Sequence, residues 1–313
     1  MTREEMLRRE RIREKRRRAR KVRRILFSAT VAIILVSLGY CCYSHYKVKQ
    51  LEKNISALEK QLKNSETNKK NLQKQLDELE DELKNKEAEL QKQAEATTDH
   101  PDKPNVYLTF DDGPSENTDR ILDILKEENV RATFFCLAKE GGENAARYRR
   151  IVEEGHTIAM HSYSHVYKTI YADLESFQKD VLGISDFLYR ATGVRPAFYR
   201  FPGGSSNTVS QVPMKKCIQY ITESGLTYFD WNAQNDDATG KDYTADQLTA
   251  HAMESVKKAG DNVVLLMHDE KTKTATAESI PQLVEQLRSA GYDILPITGN
   301  TTPVQHVSYD FAG

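Results

Sequence analysis

Residues 105–137 read NVYLTFDDGPSENTDRILDILKEENVRATFFCL. The apolar run at 105–110 predicts a strand, the pattern over 117–128 a helix, and the apolar run at 131–137 a second strand. A strand, a helix and a strand in so short a span imply parallel strands joined by a right-handed crossover. The same alternation continues downstream. Further strands are predicted at 157–160, 197–201, 226–230, 262–267 and 292–295, and helices at 143–154, 173–191, 210–223, 244–259 and 276–290. Thr244 with Gln247 resembles a capping box at the start of one of these helices. Units of this kind fit a barrel or an open doubly wound sheet, so residues 104–313 form an α/β domain. Neither G-x-G-x-x-G nor G-x-x-x-x-G-K-[ST] follows the first strand, which leaves a nucleotide site unsupported.

Upstream of this domain the charge is sharply divided. The chain has 313 residues, 39% hydrophobic and 29% charged, with a net charge of −1. Residues 1–24 hold 13 Lys/Arg against 4 Asp/Glu, residues 25–46 hold none of these, and residues 47–100 hold 11 basic and 12 acidic residues. Residues 101–313 hold 21 basic and 30 acidic residues. Four cysteines in this length exclude a disulfide scaffold. The uncharged run argues against a simple cytosolic enzyme, because it needs a non-aqueous home. Ile25 to Tyr43 reads ILFSATVAIILVSLGYCCY. As a helix these residues span about 28 Å, close to the hydrocarbon thickness of a bilayer. The basic block before it is long for a signal peptide, and Tyr40, Cys41, Cys42 and Tyr43 are poor cleavage residues. Residues 25–46 are therefore expected to be an uncleaved transmembrane helix. The positive-inside rule makes residues 1–24 a cytoplasmic tail and places everything after Tyr46 outside. A basic block can bind nucleic acid, but directly against a membrane helix it reads as a topology signal that can touch anionic lipid. No nucleic-acid partner is expected. Cys41 and Cys42, at the outer end of the span, read as helix residues.

Between the span and the α/β domain runs a heptad. Leu51, Ile55, Leu58, Leu62, Ser65, Lys69, Leu72, Leu76, Leu79, Leu83, Lys86 and Leu90 are spaced alternately four and three apart, with Glu, Lys, Gln and Asn mostly between. A leucine seam of this kind predicts a coiled-coil stalk over 47–96, most simply in a parallel homodimer. A solvated polar helix would show no such seam. At 1.5 Å per residue the stalk extends about 70 Å from the membrane. Pro101 and Pro104 end the helix, and residues 97–103 form a linker.

The chemistry-bearing residues fall just after predicted strand ends, where such folds keep their active sites. The first strand leads into Thr109-Phe-Asp-Asp-Gly-Pro114, the third into His161-Ser-Tyr-Ser-His165, and the fourth into Arg200-Phe-Pro-Gly-Gly204. Trp231-Asn-Ala-Gln-Asn-Asp-Asp237 follows the fifth, and Leu266-Met-His-Asp269 ends the sixth. Singly these are modest signals, since adjacent aspartates are usually a turn and two histidines four apart recur by chance. Together they put carboxylates, imidazoles and an arginine on one face of the domain.

These motifs, in this order over about residues 104–297, resemble those of the polysaccharide deacetylase family, the carbohydrate esterases with a NodB-type domain. The stalk and anchor lie outside the resemblance. It implies a distorted (β/α) barrel with seven or eight strands and the removal of acetyl groups from N- or O-acetylated sugars. It also implies a divalent metal, commonly Zn2+, with Co2+ or another divalent ion as alternatives. Residue by residue, Asp112, His161 and His165 match the metal ligands, a set that leaves positions open for water and substrate. Their i, i+4 spacing lets both imidazoles point one way if a helical turn follows the strand. Asp111 matches the general base and Arg200 the residue that holds it. His268 matches the general acid, and Asp237 its orienting carboxylate, with Asp236 a competing choice. Gly203 sits where a backbone N–H binds the acyl oxygen, at a position often aromatic in the family. Leu266 matches the leucine that lines the acetyl pocket. Ala238 stands where a Trp usually follows the orienting carboxylate.

Elsewhere the plain reading is preferred. His156 reads as structural, and Asp269 as a support for the site or a turn. Trp231 and Tyr228 read as strand packing, and His45, His100, His251 and His306 belong to no constellation. Cys136 reads as a buried thiol, with a Cys136–Cys217 bridge as the alternative. The expected function is hydrolysis of N-acetyl groups on cell-wall amino sugars, most simply peptidoglycan N-acetylglucosamine. An O-acetyl esterase acting on acetylated polysaccharide is the second reading, and a non-catalytic envelope scaffold or carbohydrate binder the third.

Overall fold

The computed structural model describes residues 3–95 and 103–309, and the chain divides into two compact units at Glu89/Leu90. The first is built on one uninterrupted helix, α1 (Arg3–Glu95). Both the predicted span and the predicted stalk are helical within it, and no proline interrupts it. It carries a window long and apolar enough to cross a membrane. The seam residues Leu51, Ile55, Leu58, Leu62, Leu72, Leu76, Leu79 and Leu83 all stand exposed along it. The last stalk residue, 96, and linker residues 97–102 lie outside the described residues.

Among its described residues the second unit carries eight strands: β1 (Asn105–Asp111), β2 (Thr133–Leu137), β3 (Thr157–Ser162), β4 (Phe198–Tyr199), β5 (Thr227–Tyr228), β6 (Ala233–Gln234), β7 (Asn262–His268) and β8 (Asp293–Ile294). Interleaved with them are α2 (Glu116–Glu127), α3 (Gly142–Glu153), α4 (Tyr167–Ile170), α5 (Leu174–Thr192), α6 (Met214–Glu223), α7 (Ala245–Ala259) and α8 (Thr274–Ser289). Every strand pairing is parallel, in the order β5-β4-β3-β2-β1-β7-β6. β7 follows β1 along its whole length, so β8, which pairs only with Asn105 and Val106, shares the opposite edge of β1 with β2. The sheet curls without closing. Among the described residues no ladder joins β5 to β6. Instead Asp230, just after β5, donates its N–H to Val304 O (2.7 Å) of the C-terminal segment, and Asn232, just before β6, donates its N–H to Val264 O (3.2 Å) on β7.

Strand alternation sorts the side chains into two cores. Val106, Leu108 and Phe110 of β1, Phe134 and Cys136 of β2, and Val263, Leu265 and Met267 of β7 face outward into the core shared with the helices. Tyr107, Phe135, Ala159, Phe229 and Val264 face inward, closed below by Leu295 and Ile297. Side chains on one face recur every second residue. The inward face therefore continues to Thr109 and Asp111 on β1, His161 on β3, Arg200 after β4, and Leu266 and His268 on β7. The curled sheet is apolar at its floor and polar at its C-terminal rim, and the period of two places the polar set there.

The predicted elements are present, but the strands predicted at 197–201, 226–230 and 292–295 shrink to two residues each, and there are three further differences. The helix predicted at 210–223 starts at Met214, because Ser210 Oγ closes a turn with Val212 N–H and C=O and Pro213 caps the helix start. The short α4 and β6 were not foreseen. β1, β3 and β7 run on to Asp111, Ser162 and His268, so those site residues are held in sheet rather than in loops. Cys136 and Cys217 are both buried free thiols, which removes the bridge alternative.

Candidate active site and metal centre

At the end of β1 the chain must present two adjacent carboxylates to one space, although neighbouring strand residues face opposite ways. Asp112 takes φ 73, and this left-handed turn brings its carboxylate to the side Asp111 already faces. His161 Nε2 lies 3.6 Å from Asp112 Oδ1 and 3.8 Å from Asp111 Oδ2, and His165 Nε2 lies 3.4 Å from Asp112 Oδ1. One ligand atom each from Asp112, His161 and His165 falls within 4.8 Å of the others. Asp112 Oδ1 is buried and has no hydrogen-bond partner. His161 Nδ1 lies 2.8 Å from Arg200 O. A carbonyl only accepts, so Nδ1 carries the proton and Nε2 turns its lone pair to the site. Burial, reinforced by neighbouring His161, lowers the His165 pKa against the pull of Asp112 and Asp111. The donor set, one carboxylate oxygen without a partner and imidazole nitrogens facing it, fits a divalent cation.

The two imidazoles do not meet through a helical turn. Residues 163–166 form an irregular loop in which His165 has φ 53. Asp180 of α5 shapes it. This buried carboxylate accepts from Ser162 Oγ (2.8 Å), Tyr163 N–H (2.9 Å), Ser164 N–H (3.1 Å) and Ser164 Oγ (3.1 Å). Ser162 Oγ in turn accepts from His165 N–H at 2.8 Å. Asp180 is a site residue that the sequence reading missed, because it sits mid-helix among ordinary helix residues.

Arg200 is fully buried. It donates to Asp111 Oδ1 (2.8 Å), Thr109 Oγ1 (2.8 Å), Phe229 O (3.1 Å) and Asp230 O (3.0 Å), and its guanidinium carbon stands 4.0 Å over the Phe135 ring. One carboxylate oxygen of Asp111 is thereby fixed, and the other faces the metal side. On β7, His268 is the register partner of Asp111. Its Nδ1 lies 2.8 Å from Asp237 Oδ1, and its N–H donates to Asp237 Oδ2 (2.9 Å), which also accepts from Thr276 Oγ1 (2.8 Å). Burial alone would push His268 down, but the hydrogen bond and charge of Asp237, with the charges of Asp111 and Asp112, lift it to about 9. Burial works against the Asp237 carboxylate, and the His268 contacts outweigh it and hold its pKa below the usual value. Asp236 faces His251 Nδ1 (3.5 Å) and Gln234 instead, which decides between the two aspartates. Leu266 stands on the same inward face of β7, and Gly203 has φ 79.

The description of the polysaccharide deacetylase family matches residues 98–221. A putative polysaccharide deacetylase, YheN, of Bacillus subtilis is 34% identical over 204 residues, 64% of this chain and 69% of that protein. The chain belongs to the polysaccharide deacetylase family. The peptidoglycan-N-acetylglucosamine deacetylase PgdA of Listeria monocytogenes is 33% identical over 193 residues, and the match spans only 38% of its length. Among solved structures, the catalytic domain of a peptidoglycan N-acetylglucosamine deacetylase from Eubacterium rectale superposes with a TM-score of 0.63 at 33% identity, covering 68% of this chain and 97% of that one. A CE4 esterase of Streptococcus mutans gives a TM-score of 0.57 at 30% identity, covering 63% and 87%.

Polysaccharide deacetylases are hydrolases, and two further residues, Lys139 outside the sequence motifs and Asp269 within one, support the site of this one. Lys139 Nζ donates to Asp112 O at 2.6 Å, bracing the left-handed residue. Asp269 is buried against Gly113, where a Cβ would come within 2.1 Å of its Oδ2, and it accepts from Thr118 Oγ1. Burial, helped by Asp112 and Asp111, raises its pKa to about 7 against Thr118 and Lys139. Asp269 is thus a support of the Asp-Asp-Gly turn. His156 accepts from Ala132 N–H (3.1 Å) and packs edge-on to Phe134, and burial lowers its pKa to about 4, as a structural histidine requires. Tyr228 is buried in the outer core, and Trp231 packs against the inner one.

Proposed function

We propose that this polysaccharide deacetylase removes N-acetyl groups from peptidoglycan N-acetylglucosamine and releases acetate. In this reading it uses a divalent ion, most simply Zn2+, on Asp112, His161 and His165. The observation that carries the chemistry is the pairing of an arginine-held carboxylate with an aspartate-held imidazole on adjacent strands. Amide hydrolysis needs a base for water and an acid for the poor leaving group. A divalent ion on the triad would polarise the acyl oxygen and acidify a water. Asp111, with one oxygen fixed by Arg200, takes a proton from the attacking water. The Gly203 N–H donates to the acyl oxygen as charge builds there. His268, kept protonated by Asp237, gives its proton to the departing nitrogen. Leu266 packs against the acetyl methyl.

The wall substrate rests on two supports. Relatives at about this level of identity are named peptidoglycan-N-acetylglucosamine deacetylases. An uncleaved anchor at 25–46 would keep the enzyme at the membrane with its catalytic domain outside. A polymer always present there is the wall, whereas diffusible chitin or xylan is better met by a free enzyme. In the same reading the stalk pairs two copies in parallel. The test is to incubate the full-length protein in detergent, and its Asp111→Asn variant, with purified sacculi and to weigh the muropeptides. Loss of one acetyl group from glucosamine, with wild type only, is expected. Loss from muramic acid would move the specificity. Activity confined to acetylxylan would replace the amide reading with the ester one.

A further inference from the structure

Tyr167 opens α4 two residues after His165 and has no part in the chemistry described so far. Its ring lies edge-on to the His165 imidazole, centroids 5.5 Å apart at 82°. Behind it, at 6.0 Å, stands Tyr171, which is buried with its hydroxyl engaged by Pro202 O at 3.0 Å. Tyr167 therefore rests on a residue tied to the backbone just before Gly203. Its own Cε1 and Oη each lie 3.2 Å from the point a Cβ on Gly203 would occupy. With φ 79 as well, a side chain there would be strained and would crowd the phenol, which occupies the space beside it. Among the described residues the Tyr167 hydroxyl has no protein hydrogen-bond partner. The hydroxyls of Tyr148, Tyr171 and Tyr228 are each engaged by a backbone carbonyl.

We propose that Tyr167 is a catalytic residue whose hydroxyl donates a hydrogen bond to the acyl oxygen beside the Gly203 N–H. This rests on the deacetylase reading above, which places that oxygen at Gly203. The geometry argues for it in three steps. The hydroxyl reaches the same residue whose N–H meets the developing charge. Its ring is clamped between His165, Tyr171 and Gly203, so only the O–H rotor remains to be set. A preorganised neutral donor costs little reorganisation when charge appears, which is the condition under which such donors accelerate acyl transfer.

Tyr167→Phe removes the donor and keeps the ring, so it separates the hydroxyl from the packing. Full-length protein in detergent is assayed for acetate release from soluble N-acetylglucosamine oligomers, with bound metal and melting temperature measured on the same samples. The expected result is a fall in kcat of about 10²-fold with KM, metal content and melting temperature unchanged. A rise in KM at unchanged kcat overturns the proposal, because the hydroxyl would then bind substrate and transition state equally. Full activity in Tyr167→Phe with lost metal or stability in Tyr167→Leu also overturns it, leaving the ring as packing alone. Wild type run alongside separates the two levels. An inactive, metal-loaded wild type fails the deacetylase reading and this one with it, whereas an active wild type with an unimpaired Tyr167→Phe fails only the hydroxyl's role.

Discussion

Asp111 and Asp112 are neighbours in sequence, yet their surroundings divide the work between them. Asp111 is bonded by Arg200, and Asp112 Oδ1 has only the two histidines before it. Asp112→Ala or His161→Ala is therefore expected to lose both metal and activity. Asp111→Asn should keep the metal and lose about 10²–10⁴-fold in rate, because it removes a base but no ligand. Metal analysis of the purified variants checks this, and stoichiometric metal in a His161→Ala/His165→Ala double variant would refute the ligand set. His268 carries a second prediction. In the proposed mechanism its proton is the one the leaving nitrogen needs, so activity should fall as pH rises through its pKa. Asp237, Asp111 and Asp112 raise that pKa toward about 9, and a bound cation opposes the last two. Asp237→Asn should thus move the alkaline limb of the rate profile toward the ordinary value of 6.5. For stability the sign is the same. A pKa raised by folding contributes stability in full below 6.5, and this is lost as pH passes through about 9. An alkaline limb that stays in place in Asp237→Asn would remove His268 from the role of acid. At this scale the sequence was most legible. Residues that touch metal or substrate need a particular side chain next to a strand end, and the motifs carry both. Tyr167, Lys139 and Asp180 were not legible as site residues, because their roles depend on neighbours that only the fold supplies.

Strand periodicity accounts for most of what the elements do. Asp111, His161, Arg200 and His268 converge because each continues the inward parity of its own strand. The strands could be read from the apolar runs at 105–110 and 262–267, but a run apolar on both faces does not show which face is inward. What the runs could not show was how the His161–His165 loop is shaped, since a long-range contact from α5 sets it. Asp180→Ala would leave two hydroxyls and two N–H groups of that loop without their acceptor. The expected effect is a loss of metal affinity of about 10–100-fold, the usual cost of removing a group that orients ligands. A metal titration checks it, and Asp180→Asn, which keeps one acceptor oxygen, should fall between the two. Unchanged affinity in Asp180→Ala would show that the loop holds its shape without α5. The stalk poses a question of the same scale. Because α1 is unbroken, the heptad spacing at Leu51 runs back through Val48 and Ser44 to Cys41. In the proposed parallel pair Cys41 faces its copy, and Cys42 is turned about 100° away. Mild oxidation of membranes should therefore cross-link Cys42→Ser protein into dimers well before Cys41→Ser protein. Cys136 and Cys217 are buried and do not compete. Equal rates would refute this register.

Across the whole molecule, charge is absent from one stretch and concentrated just before it. Residues 25–46 carry no Asp, Glu, Lys or Arg, and 13 basic residues crowd the 24 before them. The window is apolar enough to span, and its large side chains, such as Phe27, Leu35 and Val36, lie open on α1. Their exposure is costly in water and favourable in lipid. Basic residues beside a span are retained on the cytoplasmic side, which is the basis of the proposed orientation. In the proposed reading the acidic domain beyond then stands outside, where a wall substrate would lie. Protease added to intact protoplasts should remove residues 101–313 and leave a membrane-bound fragment containing the span. An antibody against the cytoplasmic tail should detect that fragment at reduced mass. Replacing the arginines among residues 16–24 with glutamates weakens the retention signal and should increase the fraction of protected, full-length protein. Full protection of the wild-type chain in intact protoplasts, with digestion only after lysis, would place the domain inside and remove peptidoglycan as its substrate, whatever its site can hydrolyse in solution.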